Sequence, residues 1–513
     1  MMVLHSHIPY VKHQGRWPFG EVWLFEAMAE TYIPFLKNWM NMKQEGKEAK
    51  ITLSLSPVLL EQLNSKYIQK EFINYLKERE ALALEDERFF LGHGDKELAT
   101  VASIYYKFYR DIRRDFITDF DMEIVGVLKS LLKNGDIEII TSAATHAYLP
   151  LIDKPSLEHQ VILSKQTYEK MFGAEPKGFW LPECGYSSGV EDILIEHDFS
   201  YFYVDSHAIE GGRPIEIFSQ DFVDEEVKME TFASTGLSTY RPYRLKDKDI
   251  TVFGRNSMIS HQVWSADYGY PGDEDYREFH KTFERSGFKY WKITDRNKPK
   301  HKKVVYDYKQ AELRAHLHAA HFIDSLENTS REAVKLGFPE PLIVGCYDTE
   351  LFGHWWWEGT KWLDLVMRSV SKSNILEFVL PSQIGAVKHE AEIFDSSWGL
   401  GGKHFVWENK ETTWMWDIIK KSGGEYEELN SINISSDLGQ RAKNMALREL
   451  MLIQSSDWLF MVTNNSTKDY AMKRFFEHYT KFLRIIDCVY ENQMDKDFEQ
   501  WLEITEKEDG IFL

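Results

Sequence analysis

The chain has 513 residues, a formal net charge of −20, 43% hydrophobic and 28% charged residues. That composition supports a large folded core and excludes wholesale disorder, while the acidic balance makes nucleic acid and anionic membranes poor partners. Three cysteines (Cys184, Cys346 and Cys488) are too few and too scattered for a disulfide framework or a cysteine zinc site.

Met1 runs directly into MVLHSHIPY without a basic and apolar leader, and no apolar run approaches about 18 residues. The expectation is a reduced, cytoplasmic protein without a membrane span. In chain order, short apolar or β-branched runs end at His5 (MMVLH) and cover 51–56, 137–143, 178–183, 199–205, 250–256 and 342–348. Most lead at once into helix-like sequence. Strands alternating with helices predict a parallel α/β sheet, as an α/β barrel or a doubly wound fold. Conspicuous polar residues stand just after these strands: His5 and His7, Thr141, Glu183, Asp205 and Asp348. Barrel enzymes place their chemistry there.

The gap between the second and third strands is too long for one crossover. Residues 57–130 carry apolar positions at three- and four-residue spacing, which predicts a helical insertion with a Gly92–Gly94 turn inside it. Residues 206–249 are rich in Gly, Ser, Asp and Glu, and predict a long functional loop. Beyond about residue 400 the spacing becomes amphipathic and helical. The expected division is barrel at 1–56, helical insertion at 57–130, barrel again at 131–400 and a C-terminal helical domain at 401–513.

Aromatic residues make up 14% of the chain, with 16 tryptophans. Several stand among polar residues, in WPFGEVWLFEA, HQVWSADYGYPGD, HWWWEGTKW and HFVWENKETTWMW. Flat rings in polar company suit sugars, whose C–H faces stack while their hydroxyls hydrogen-bond. Glu183 in GFWLPECGY and Asp348 in CYDTELFGHWWWEG each end a buried strand beside aromatic residues. Two such carboxyl groups are what glycosidic cleavage requires, one attacking the anomeric carbon and one protonating the departing oxygen. His5 and His7 face one way on an extended chain. They fit either a metal-hydrolase site or hydrogen bonding to sugar hydroxyls, and His146, His261 and His354 could join either.

Taken in order, HSHIPY, GDIEIITSAATHAYLPLI, GFWLPECGY, CYDTELFGHWWWEG and ELMLIQSSDWLFM resemble the five signature regions of glycoside hydrolase family 57, most closely its 1,4-α-glucan branching type. The resemblance implies an incomplete seven-stranded (β/α) barrel with a helical insertion and a C-terminal helical domain. It implies Glu183 as nucleophile and Asp348 as general acid/base of a retaining double displacement, with no cofactor and no metal. His5, His7 and His146 would line the −1 sugar subsite, and Asp457 and His354 would also contact substrate. Trp23, Trp264, Trp407 and Trp416 would hold an α-1,4-glucan, with Trp414 competing for the role of Trp416. Tyr240 would be the loop tyrosine associated with branching, although residues 213–239 depart from the usual loop. α-Amylase activity is the near alternative, and a metal-dependent hydrolase using His5 and His7 the remote one.

Overall fold

The computed structural model describes residues 1–214, 231–265, 268–295 and 297–512. Each of the seven apolar runs contains a strand: β1 (Met2–Ser6), β2 (Ile51–Leu55), β3 (Ile137–Ser142), β4 (Gly178–Trp180), β5 (Tyr201–Val204), β7 (Thr251–Gly254) and β8 (Gly345–Asp348). Two more, β6 (Tyr243–Leu245) and β9 (Glu390–Ala391), are short strands at one end of the sheet with no apolar run to announce them. The sheet order is β8-β1-β2-β3-β4-β5-β7-β6-β9. From β8 to β7 every pairing is parallel, whereas β6 runs antiparallel to β7.

The strands are apolar on both faces because both faces are covered. Val3, Ile140, Trp180, Tyr203, Phe253 and Cys346 fill the concave side. Leu4, Leu53 and Ile139 on one stretch, and Phe179, Phe202 and Val252 on another, point outward beneath helices. Among the described residues no ladder joins β8 to β7. Their neighbouring segments touch through Asn256, whose N–H donates to the Val344 carbonyl at 2.8 Å. The architecture is an incomplete parallel barrel.

The helices fall into three groups. Packed around the first strands and their crossovers are α1 (Glu21–Ala27), α2 (Ile33–Gln44), α3 (Pro57–Leu63), α4 (Lys66–His93), α5 (Lys96–Thr118) and α6 (Ile124–Lys133). Helices α4 and α5 form a long hairpin, turned by Gly94 at φ 82°. Around the rest of the sheet stand α7 (Lys154–Phe172), α8 (Val190–Glu196), α9 (Ser206–Glu210), α10 (Ser257–Trp264), α11 (Tyr308–Lys335) and α12 (Gly359–Val370). The C-terminal group is α13 (Thr413–Ser431), α14 (Asp437–Ile453), α15 (Ser456–Asn464), α16 (Lys468–Tyr490) and α17 (Lys496–Asp509), built around Met445, Leu450, Trp458, Phe475 and Phe482. None of the described helices is long and apolar enough to cross a membrane.

The expected loop at 206–249 contains more regular structure than its composition predicts. It opens with α9, closes with β6 and is pinched by a bridge between Gly212 and Phe232. Residues 215–230, the greater part of the 213–239 stretch expected to depart from the usual loop, lie outside the described residues.

Between α1 and α2 one turn widens into a π-helix over Met28–Tyr32, which brings Glu30 and Tyr32 toward the interior. Gly353 sits against this turn at φ 118°, and a Cβ there would lie 1.9 Å from the Glu30 carbonyl oxygen. Both the backbone conformation and the space demand glycine. Gly353→Ala should therefore destabilise by several kcal/mol, on the order of the large values typical of strained or overpacked sites. A clear fall in apparent Tm at fixed scan rate checks this.

Candidate active site

Parallel register brings the carboxyl ends of the strands to one rim. His5 on β1 pairs directly with Asp348 on β8 and with Ser54 on β2, while Ser142 on β3 pairs with Trp180 on β4. Neighbouring parallel strands lie roughly 4.8 Å apart, so one row across the sheet already collects these groups.

Three histidines stack at this rim. The rings of His7 and His146 are 4.0 Å apart and 12° from parallel, and His5 stacks on Trp180 at 4.8 Å. Each imidazole is fixed at both nitrogens. His5 shares hydrogen bonds with Ser54 Oγ and His146 Nε2, both at 2.9 Å. His146 reaches Ser456 Oγ at 3.0 Å, and His7 reaches Ser56 Oγ at 2.8 Å. Burial, then the neighbouring imidazoles, hold His5 and His146 well below the ordinary histidine range, so both are neutral. His7 closes the row on Asp457 Oδ2 at 2.9 Å, tying β1 to the start of α15. Burial opposes the Asp457 charge, but His7 and then Ser455 hold its carboxyl down at about 2.

Glu183 stands on the tight turn after β4 in left-handed conformation, φ 62° and ψ 21°, followed by Cys184 at φ 50°. His146 is left-handed too, at φ 58°. Such geometry in non-glycine residues costs about 1–3 kcal/mol each and persists where surrounding contacts over-determine it. Trp398 supplies two of those contacts. Its backbone N–H donates to the Glu183 carbonyl at 3.0 Å, and its indole N–H donates to Glu183 Oε2 at 2.6 Å.

Burial, followed by the charge of Asp348, pushes the Glu183 carboxyl up to about 8, against the Trp398 hydrogen bond that favours its charge. Asp348 is driven well above the carboxylate range by burial and then by Glu350, with Arg255 opposing. Glu350 itself is raised to about 7 by burial, against hydrogen bonds from Tyr32 and from the His7 backbone. A donor to the charged form marks Glu183 as the group that ionises first, and a neighbouring acid marks Asp348 as the group that keeps its proton.

The structure also separates several expected contributors from this rim. Trp264, half-buried on α10, does approach it, 6.5 Å from Trp398, and its indole N–H has no partner among the described residues. Trp23 lies on α1 in an aromatic group with Phe19 and Tyr470. Trp407 and Trp416 are corrections to the sequence reading, being 1% and 3% exposed. Trp407 stacks on Tyr148 at 4.2 Å and accepts the Trp416 indole N–H on its carbonyl, so neither offers a face to a sugar. Helical spacing turns Trp416 inward with Met415 and Ile419, leaving Trp414 half-exposed against Phe476.

His354 is another correction. It is 8% exposed, donates its backbone N–H to Thr31 and faces Glu26 and Glu30 rather than Glu183 and Asp348. Tyr240 packs on Phe338, and its carbonyl accepts from Leu342, at the far end of the β8 segment from Asp348. It is not beside the two carboxyl groups. His261 packs edge-on against Tyr268.

His7, His146 and Asp457 offer donor atoms within 4.8 Å of one another, a set able to hold a metal ion. The same atoms already bond one another or Ser456 and His5, so a metal ion would have to break the row. A second such set, Glu449, His478 and Asp509, is buried among helices with Arg474 and Lys481 beside it. Lys481 already pairs with Asp509, and burial drives the Glu449 carboxyl well above the carboxylate range.

Sequence reasoning missed Trp398, Glu350, Tyr32 and Arg255. Glu350 carried a signal, two residues after Asp348. Trp398 follows no strand and is joined to Glu183 only by the fold.

An incomplete parallel barrel with two carboxyl groups and a histidine row at its carboxyl rim defines a two-carboxylate barrel enzyme. The chain belongs to glycosyl hydrolase family 57, whose family model matches residues 1–394. Residues 426–513 match the model described as 1,4-alpha-glucan branching enzyme, C-terminal. The 1,4-alpha-glucan branching enzyme of Thermococcus kodakarensis is 36% identical, over 99% of this chain and 76% of its own length. Its crystal structure with glucose superposes with a TM-score of 0.90 at 36% identity, covering 100% of this chain and 94% of that one. The α-amylase AmyC of Thermotoga maritima is 31% identical, with a TM-score of 0.83 over 100% and 96% of the two chains.

With Glu183 as the expected attacking carboxylate, activity should fall as pH drops below its raised pKa. Trp398→Phe removes a hydrogen bond to the charged form, worth about 1.5–3 kcal/mol. The acid limb of kcat/KM should therefore move to higher pH by about one to two units. An unmoved limb would show that the indole does not tune this carboxylate.

Proposed function

We propose that the protein is a 1,4-α-glucan branching enzyme that works by retaining double displacement. The observation that carries this reading is the match of residues 426–513 to the branching-enzyme C-terminal model, joined to a full-length likeness to a branching enzyme. The site residues support it chemically. Glu183 attacks C1 of an α-1,4-linked glucosyl unit as Asp348 gives its proton to the departing glycosidic oxygen, leaving a glycosyl ester on Glu183. Asp348, now a carboxylate, takes the proton from a 6-hydroxyl of the acceptor glucan, whose oxygen attacks C1 and restores free Glu183. The neutral row of His5 and His146, its nitrogens already bonded within the protein, walls the bound sugar together with the His7–Asp457 pair. Exposed rings at Trp17 and Trp355, 74% and 54% exposed, and half-buried Trp23, Trp264 and Trp414 supply stacking faces for chains.

Hydrolysis is the second reading, favoured by the likeness to the Thermotoga maritima α-amylase. The two differ only in the acceptor, a sugar hydroxyl or water. Glu183→Gln and Asp348→Asn should each lower cleavage of amylose by a factor on the order of 10³ or more while glucan binding survives. Full activity in either variant refutes the catalytic pair. With the unmodified enzyme on amylose, new α-1,6 linkages should outnumber new reducing ends; the reverse makes it an amylase. Activity that survives chelation, with no metal found by elemental analysis, disposes of the metal-hydrolase reading.

A further inference from the structure

Beneath Trp398 lies an ion pair that the proposed chemistry does not use. Asp205, just after β5, and Arg255, just after β7, are each 2% exposed. One oxygen of Asp205 accepts the Ser206 N–H at 2.6 Å, the Ser206 hydroxyl at 3.0 Å and a His207 contact at 3.3 Å. The other receives Arg255 Nη2. Arg255 Nε and Nη1 have no hydrogen-bond partner among the described residues. A buried guanidinium is usually kept for its fork, and leaving two of its nitrogens unmatched is unfavourable. Its charge instead lies over an indole, with the guanidinium carbon 5.2 Å from the Trp398 ring centroid. The loop bearing Trp398 is tied to the same anchor, since His207 Nε2 bonds the Gly402 carbonyl at 2.8 Å and Ser397 N–H donates to that carbonyl at 2.9 Å.

We infer that Arg255 is a positioning residue for the nucleophile: pinned by Asp205, its guanidinium holds the Trp398 indole in the orientation whose N–H donates to Glu183. The same donor is in place when the glycosyl ester breaks and Glu183 becomes a carboxylate again, so the device serves both halves of the reaction. The inference rests on Glu183 being the nucleophile, but not on which acceptor follows.

Titratable groups near Glu183 are Asp348, Asp457 and His7; those near Arg255 are Asp205, Asp348, Cys184, Cys346 and Tyr347. Arg255 could therefore also act on Glu183 directly through space, and the test separates the two routes. The acid limb of kcat/KM is read from total α-1,4 cleavage in Arg255→Met, Arg255→Lys, Trp398→Phe and the double variant Arg255→Met/Trp398→Phe. Positioning through the indole predicts that Arg255→Met moves the limb to higher pH and that the double variant moves no further than Trp398→Phe alone. It also predicts that Arg255→Lys, which keeps the charge but loses the planar face, moves the limb upward. An additive double variant, or an unmoved limb in Arg255→Lys, overturns the inference. If Arg255→Met does not fold, as judged by circular dichroism, the Lys variant decides alone. Infrared titration of the Glu183 carboxyl, as a difference against Glu183→Gln, follows the same shifts without turnover. It keeps the inference testable even if Glu183 proves not to be the nucleophile.

Discussion

Two carboxyl groups buried at one rim resist ionising together, and that electrostatic constraint organises the rest of the site. Each additional negative charge in a water-poor space costs more than the last. The surroundings resolve the conflict by treating the two acids differently. Glu183 is given an indole donor that favours its charge, while Asp348 is given Glu350, which disfavours it. One acid is thereby favoured as a carboxylate and the other as the protonated form, the division that the proposed double displacement requires.

The remaining polar groups are buried with their partners rather than left to water. Ser54, Ser56 and Ser456 hold the three histidine rings, and Asp457 couples His7 to the helical C-terminal group. Removing one member would leave another buried and unsatisfied, a penalty larger than the bond itself is worth. The backbone carries its own constraint, with His146, Glu183 and Cys184 all held left-handed. Rigid strands on one side and docked helices on the other make those conformations sustainable.

The barrel's gap between β7 and β8 has a structural consequence. Asp348 pairs with β1 on one side only, and the interior beyond it is closed by Trp398, Trp264 and the Arg255–Asp205 pair rather than by another strand. Side chains from loops and from α10 thus do what an eighth strand does in a complete barrel, and they bring the indole that meets Glu183.

The seven parallel strands, the helical hairpin after β2 and the C-terminal helices were legible in the sequence because each is encoded locally, in apolar runs or in three- and four-residue spacing. The two acids and His5, His7 and His146 were legible as well, since each closely follows a strand end. Short β6 and β9 were not, because a few residues paired at a sheet edge leave no periodic trace. Trp407 and Trp416 misled because polar neighbours in the sequence are not neighbours in space; the turn of α13 and the Tyr148 ring bury them. His354 and Tyr240 are likewise engaged by Glu26, Glu30 and Phe338 from remote segments. The sequence by itself determined which strands form and which groups stand at their ends. Only the tertiary structure decided which carboxyl group ionises and which aromatic faces stay open, because both depend on burial and on partners hundreds of residues away, such as Trp398 on Glu183.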